Sequence, residues 1–193
     1  MNGSIFWQLI LIFILTMINA FFAAAEMAIV SVDKKKISTK AKEGSKKAQM
    51  LLELLKEPSR FLSTIQVGIT LAGLFSSASA AVGISEKLGG VLERLGIPFG
   101  QDIAFIGITI LLSYIILVFG ELVPKRIALQ KSERFSIFAI KPISILSKIF
   151  RPFISFLSFS TNAVLSILGF KNELVEEKVT LEEIRSLVKV GQE

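Results

Sequence analysis

The chain has 193 residues, 52% of them hydrophobic, and a formal net charge of +6. It is too apolar for an ordinary soluble domain of this length and falls in the membrane class. It holds no cysteine and no histidine. That excludes a disulfide framework, thiolate or imidazole metal sites and histidine acid–base chemistry, and leaves oxygen ligands suited to hard ions such as magnesium, calcium, sodium or manganese.

The first apolar run, Ile5 to Val32, carries a single charge, Glu26. It is long enough to cross a bilayer core, which takes about 20 residues. No positive residue precedes it, so it reads as a span and not as a cleaved signal. The next stretch, KKKISTKAKEGSKKAQMLLELLK (34–56), is rich in helix formers with one interior glycine and predicts a cytoplasmic helix. The run Phe61 to Ser85 is uncharged and predicts a second span. The run Ile103 to Gly120, also uncharged, predicts a third. From Phe135 to Ile149 apolar residues mix with cations around Pro142, which predicts an amphipathic pair of short helices at the cytoplasmic interface, re-entrant in form. A fourth uncharged run, Pro152 to Phe170, holds many Ser, Thr and Asn and is expected to lie in the interface. Residues 171–193 are polar and acidic on balance. Thr180 and Glu183 form a capping box opening a short helix. This is expected to be the start of a soluble cytoplasmic region of a longer protein.

Charge between the runs sets orientation. Residues 33–60 hold nine Lys/Arg and four Asp/Glu, residues 86–102 two and three, and residues 121–151 seven and two. By the positive-inside rule the first and third segments are cytoplasmic and the N-terminus is outside. Lys34, Lys35, Lys36, Lys40, Lys42, Lys46 and Lys47 then face anionic headgroups, and no nucleic-acid partner is expected.

Two carboxylates stand out, because ionisable groups in spans are costly. Glu26 lies near the cytoplasmic end of the first run. Glu121 closes the third, in VFGELVPKRIAL (118–129). Either can pair with a neighbouring cation (Lys34, Lys125 or Arg126) or help hold a metal ion. Pro124 removes a helical hydrogen bond, so the helix is expected to break there and free the carbonyls of Gly120 and Glu121; broken helices often form ion sites. In the second run Gln66 and Thr70 share a helical face, and an amide in hydrocarbon needs a partner. Gly73, Ser77 and Ala81 form a small-residue stripe suited to helix packing. No enzyme constellation is present.

The order AAAEMAI, TIQVGITLAG and FGELVPKRIAL, with a basic helix between the first two, resembles the transmembrane domain of the CNNM/CorC magnesium-transporter family, including its bacterial hemolysin-related branch. The likeness covers almost the whole chain. It implies an all-α membrane fold of three transmembrane helices, a short cytoplasmic-side helical hairpin and a juxtamembrane helix. On this reading residues 1–170 are the transmembrane domain and 171–193 begin the linker to CBS domains that bind ATP. The resemblance implies a homodimer in the cytoplasmic membrane exporting Mg2+ in exchange for Na+. It makes Glu121 a metal ligand. Where the family has further side-chain oxygens this chain has Ala25, Ile69 and Gly73; Gln66 and Thr70 are the nearby substitutes, a backbone carbonyl near Ile127 is a further source, and Glu26 completes the electrostatics. The rival reading is a membrane anchor and ion sensor that presents cytoplasmic nucleotide-binding domains without transporting. The two are told apart by whether Glu26, Glu121 and Gln66 share one cavity or pair separately with cations.

Overall fold

The computed structural model describes residues 3–56 and 58–169, and among them it is helical throughout, with no strand. Contacts divide the chain into two units, residues 1–150 and residues 151–193.

Helix α1 (Gly3–Val30) is 28 residues long, about 42 Å at helical rise. A short turn follows, and Asp33 caps α2 (Lys34–Lys42) by accepting from the backbone N–H of Lys35 at 2.9 Å and of Lys36 at 3.4 Å. Here the expectation of one helix over 34–56 is corrected. Gly44 adopts φ +93°, which stops α2, and Ser45 caps a separate α3 (Lys46–Leu54). The result is a hairpin, because the one interior glycine takes a left-handed conformation that few other residues tolerate.

Helix α4 (Pro58–Ala80) opens on proline, at home where no helical donor is needed. It passes through a π turn (Ala81–Ser85) into α5 (Glu86–Arg94). A turn containing Phe99, at φ +61°, leads into α6 (Gly100–Leu117). A second π turn (Val118–Leu122) carries the chain into α7 (Val123–Gln130). So the expected break at Pro124 is corrected as well. Pro124 sits at the start of α7, the π turn absorbs the misfit, and the helix runs on. Three continuous helical stretches are long and apolar enough to cross a membrane: Ile5–Val30, Phe61–Arg94 and Gly100–Gln130. The fold is thus that of an all-α, multi-pass membrane protein.

Helix α8 (Ser132–Ile149) is one helix and not the expected pair, although Pro142 lies inside it. Its fully buried Ala139, Ile140 and Ile143 hold it against the core on both sides of the proline. Phe135 and Phe138 pack against Phe21 of α1, with ring centroids 6.3 and 6.4 Å away. The main core is not at mid-membrane. Phe22, Ala25 and Ile29 of α1, Phe61 and Ile65 of α4, Ile37 and Leu51 of the hairpin and the α8 residues meet at one end of the bundle. Along the spans, Phe6, Phe13, Ile106, Ile110, Tyr114 and Phe119 are exposed, as lipid-facing side chains must be.

The second unit shows α9 (Arg151–Ile167), a single helix with no buried residue. The Thr180–Glu183 capping box and the rest of the acidic stretch lie outside the described residues.

Candidate functional site

The site begins with a missing donor. In a regular helix the amide of residue 124 would bond to the carbonyl of Gly120, and proline has no N–H to give. Within the π turn, Val123 N–H reaches back to Val118 O. The Gly120 carbonyl accepts instead from the side chain of Asn19, whose Nδ2 is 3.0 Å away on α1. Both residues are buried, Asn19 to 2% exposure. A side chain at Gly120 would come within 3.2 Å of Asn19 Nδ2 and 3.4 Å of Thr16 Cγ2, so glycine permits this close approach. Thr16 turns its hydroxyl back to Ile12 O at 2.8 Å.

One turn further along α7, Lys125 Nζ lies 2.9 Å from Glu121 Oε1 and 3.2 Å from Glu26 Oε2. The first contact is also a hydrogen bond. The second is an ion pair off the hydrogen-bond direction, and Glu26 Oε2, buried, has no hydrogen-bond partner. All three side chains are about a quarter to a third exposed. One ammonium thus neutralises carboxylates from two helices, leaving a net charge of −1. This arrangement is a stable ion-pair cluster, and it is also a pair of oxygen donors held together by a cation that another cation can replace.

The sequence-derived candidates divide in two. Glu26 and Glu121 converge, and they do so on Lys125. Gln66 and Thr70 lie on an exposed face of α4. The two acids therefore share one counter-ion. Among the described residues no three acidic side chains cluster as a metal-binding group. Ala25, Ile69 and Gly73 offer no side-chain oxygen. Asn19 and Thr16 were not anticipated, although a signal was present: an asparagine inside an apolar run, on the same helical stripe as Glu26.

The geometry defines a multi-pass helical membrane protein in which buried Thr16 and Asn19 of α1 meet a π turn of the third span. Over residues 9–193 the sequence matches the family of cyclin M (CNNM) transmembrane N-terminal domains, and the chain belongs to that family. It is 32% identical over 192 residues to the UPF0053 protein sll0260 of Synechocystis, covering 98% of this chain and 43% of the relative. It is 28% identical over 175 residues to the UPF0053 inner membrane protein YfjD of Escherichia coli, covering 89% and 37%. A protein of Haemophilus influenzae named as a polyamine export protein is 26% identical over 196 residues, covering 98% and 44%. The chain thus spans less than half the length of each of these relatives.

Proposed function

We propose that this domain carries Mg2+ out of the cell in exchange for Na+, as a homodimer in the cytoplasmic membrane with its N-terminus outside and the α2–α3 hairpin and C-terminus inside. The carrying observation is the convergence of Glu26 and Glu121 on one ammonium. Two carboxylates and Lys125 sum to −1; two carboxylates and a divalent ion sum to zero. Displacement of the ammonium by Mg2+ removes an uncompensated charge from membrane depth, where such charges are costly. Mg2+ retains most of its waters, so two carboxylates and a few neutral oxygens suffice to hold it. Glu121 is the first ligand and Glu26 its partner.

A homodimer accounts for the other candidates. Gln66, Thr70 and Ser77 are exposed on α4, with Gly73 half-buried between them. A polar stripe with small residues has no place against lipid and suits close packing against a second copy. Gln66 and Thr70 then face the partner subunit as further oxygen donors. Control by ATP belongs to nucleotide-binding regions beyond this domain.

The relative named for polyamine export supports a second cargo, an organic polycation. Two carboxylates at one point fit one amine of such a chain as well as they fit a metal ion.

The test is flux in liposomes holding the protein, with internal Mg2+ or spermidine, with and without a sodium gradient, beside Glu121→Ala. Sodium-dependent Mg2+ flux lost in the variant supports the proposal. Spermidine flux alone transfers the site to the polycation. A folded, dimeric protein that moves neither overturns transport and leaves the anchor-and-sensor reading.

A further inference from the structure

Among the described residues, four buried side-chain oxygens have no hydrogen-bond partner: Gln8 Oε1, Asn19 Oδ1, Glu26 Oε2 and Ser76 Oγ. Three of them lie on one line. Asn19 follows Gln8 by eleven residues on α1 and Glu26 follows Asn19 by seven. At 100° per residue the three fall within about 20° of one another around the helix.

Ser76 stands on α4 at a depth between two of them. Two close approaches fix how α4 runs past α1. The Gln8 amide fills the space a side chain at Gly83 would take, with Nε2 only 1.9 Å from that position. The Phe22 ring fills the space beside Gly68, 2.7 Å from the corresponding position. The helices are therefore antiparallel, and Ser76, midway between the two glycines and fully buried, stands level with the α1 turn between Gln8 and Asn19. From the end opposite the hairpin the order is Gln8, Ser76, Asn19, Glu26. Helical rise sets the steps at about 10, 6 and 10 Å.

The ends of the line are also marked. Gln8 abuts the π turn of Ala81–Ser85 through Gly83. Asn19 abuts the π turn of Val118–Leu122 through Gly120. Glu26 meets Lys125. Each of these three α1 residues thus touches either irregular backbone or a charge. The unpartnered atoms are oxygens, and oxygen lone pairs accept protons and cations. Three of the four are neutral and they stand one to a level, so no single step binds an ion strongly. Weak sites in series let an ion enter and leave.

We infer that the Gln8–Asn19–Glu26 face of α1 is the path of the transported cation, with Gln8 at its outer mouth and Ser76 and Asn19 at successive depths on the way to the Glu26–Lys125–Glu121 cluster. This rests on the transport reading above and adds an outer mouth, remote from the cluster, through which exported Mg2+ leaves and Na+ enters.

The experiment compares the protein with Gln8→Leu and Gln8→Asn in two measurements. One is Mg2+ and spermidine flux in liposomes. The other is the rise in unfolding temperature on adding Mg2+ in detergent, which reads binding at the cluster. Gln8→Leu is expected to lower flux by about tenfold, since an apolar wall replaces an ion-stabilising oxygen. It should leave the Mg2+-dependent rise unchanged, and Gln8→Asn, which keeps the amide, should recover part of the flux. Undiminished flux in Gln8→Leu overturns the path. So does joint loss of flux and of the Mg2+ response with no recovery in Gln8→Asn, which marks Gln8 as a packing residue served by water. Failure of transport itself shows in the unaltered protein, which then moves neither cation.

Discussion

Asn19 of α1 donates a 3.0 Å hydrogen bond to the carbonyl of Gly120, the oxygen that Pro124 leaves without its regular helical donor. A buried carbonyl stripped of its partner costs about 1–3 kcal/mol. Asn19→Leu, similar in size but without the amide, should therefore lower unfolding stability in detergent by about 2 kcal/mol. Asn19→Asp, which turns an acceptor toward the same carbonyl, should lower it further. A leucine variant as stable as the parent would show that the π turn satisfies itself.

Lys125 is the second point of attack. Lys125→Met leaves Glu26 and Glu121 facing each other without a counter-ion. The loss should fall between that of a surface pair and a buried one, about 1–3 kcal/mol. More tellingly, added Mg2+ should raise the unfolding temperature of Lys125→Met by more than that of the parent, because the ion no longer competes with the ammonium. An equal response in both proteins would sever the cluster from cation binding.

Glycine substitutions on α4 should separate the packing inside one chain from packing between chains. A side chain at Gly68 would stand 2.7 Å from the Phe22 ring, whereas one at Gly73 meets nothing within 4 Å. Gly68→Ala should cost about 1–3 kcal/mol, the usual penalty of overpacking, and Gly73→Ala close to nothing. Gly73→Leu should leave each chain folded and reduce the dimer, as read by crosslinking or by mass in detergent. A fully dimeric Gly73→Leu would move the interface off this stripe.

The hairpin carries a pH dependence of known sign. Glu133 at the start of α8 pairs with Lys40 of α2. The hydrogen bond from Lys40 holds the Glu133 carboxyl below its ordinary value of 4.5, with the Lys40 and Lys36 charges acting in the same direction. A depressed carboxyl stabilises the folded state above the unfolded value and loses that contribution as pH falls through the folded one. Amide protection in α2, taken relative to the unstructured rate at each pH, should therefore fall below about pH 4.5 and hold steady above it. In Glu133→Gln that step should vanish. A step that persists in the variant belongs to another acid.

Much of this was written in the chain. The three spans follow from apolar length alone. Glu26 and Glu121 were legible as a pair because each lies near the same end of its run, and Lys125 was legible as a partner four residues beyond Glu121. Depth is a matter of counting residues. Direction around a helix is not: Gln66, at a plausible depth, is exposed on α4, while the acids meet on Lys125. The resemblance implied a cytoplasmic-side hairpin, but the residues of 34–56 alone read as one helix, because Gly44 is one residue whose backbone sign no periodicity reveals. Pro142 looked like a breaker, and packing of Ile140 and Ile143 on either side overrode it. Asn19 was overlooked as an isolated amide; only its alignment with Gln8 and Glu26 gives it meaning.

The π turn of Val118–Leu122 also acts as a rotational offset. It carries one residue more than the α turn it replaces, so everything after it is rotated by about 100° and set back by about 1.5 Å relative to an unbroken helix. Lys125 reaches Glu26 only in that phase. Deleting one residue within the turn would leave the composition, charge and length of the span almost untouched and yet swing the ammonium to a different side of the bundle. What brings the two acids together is therefore the count of residues as much as their kind.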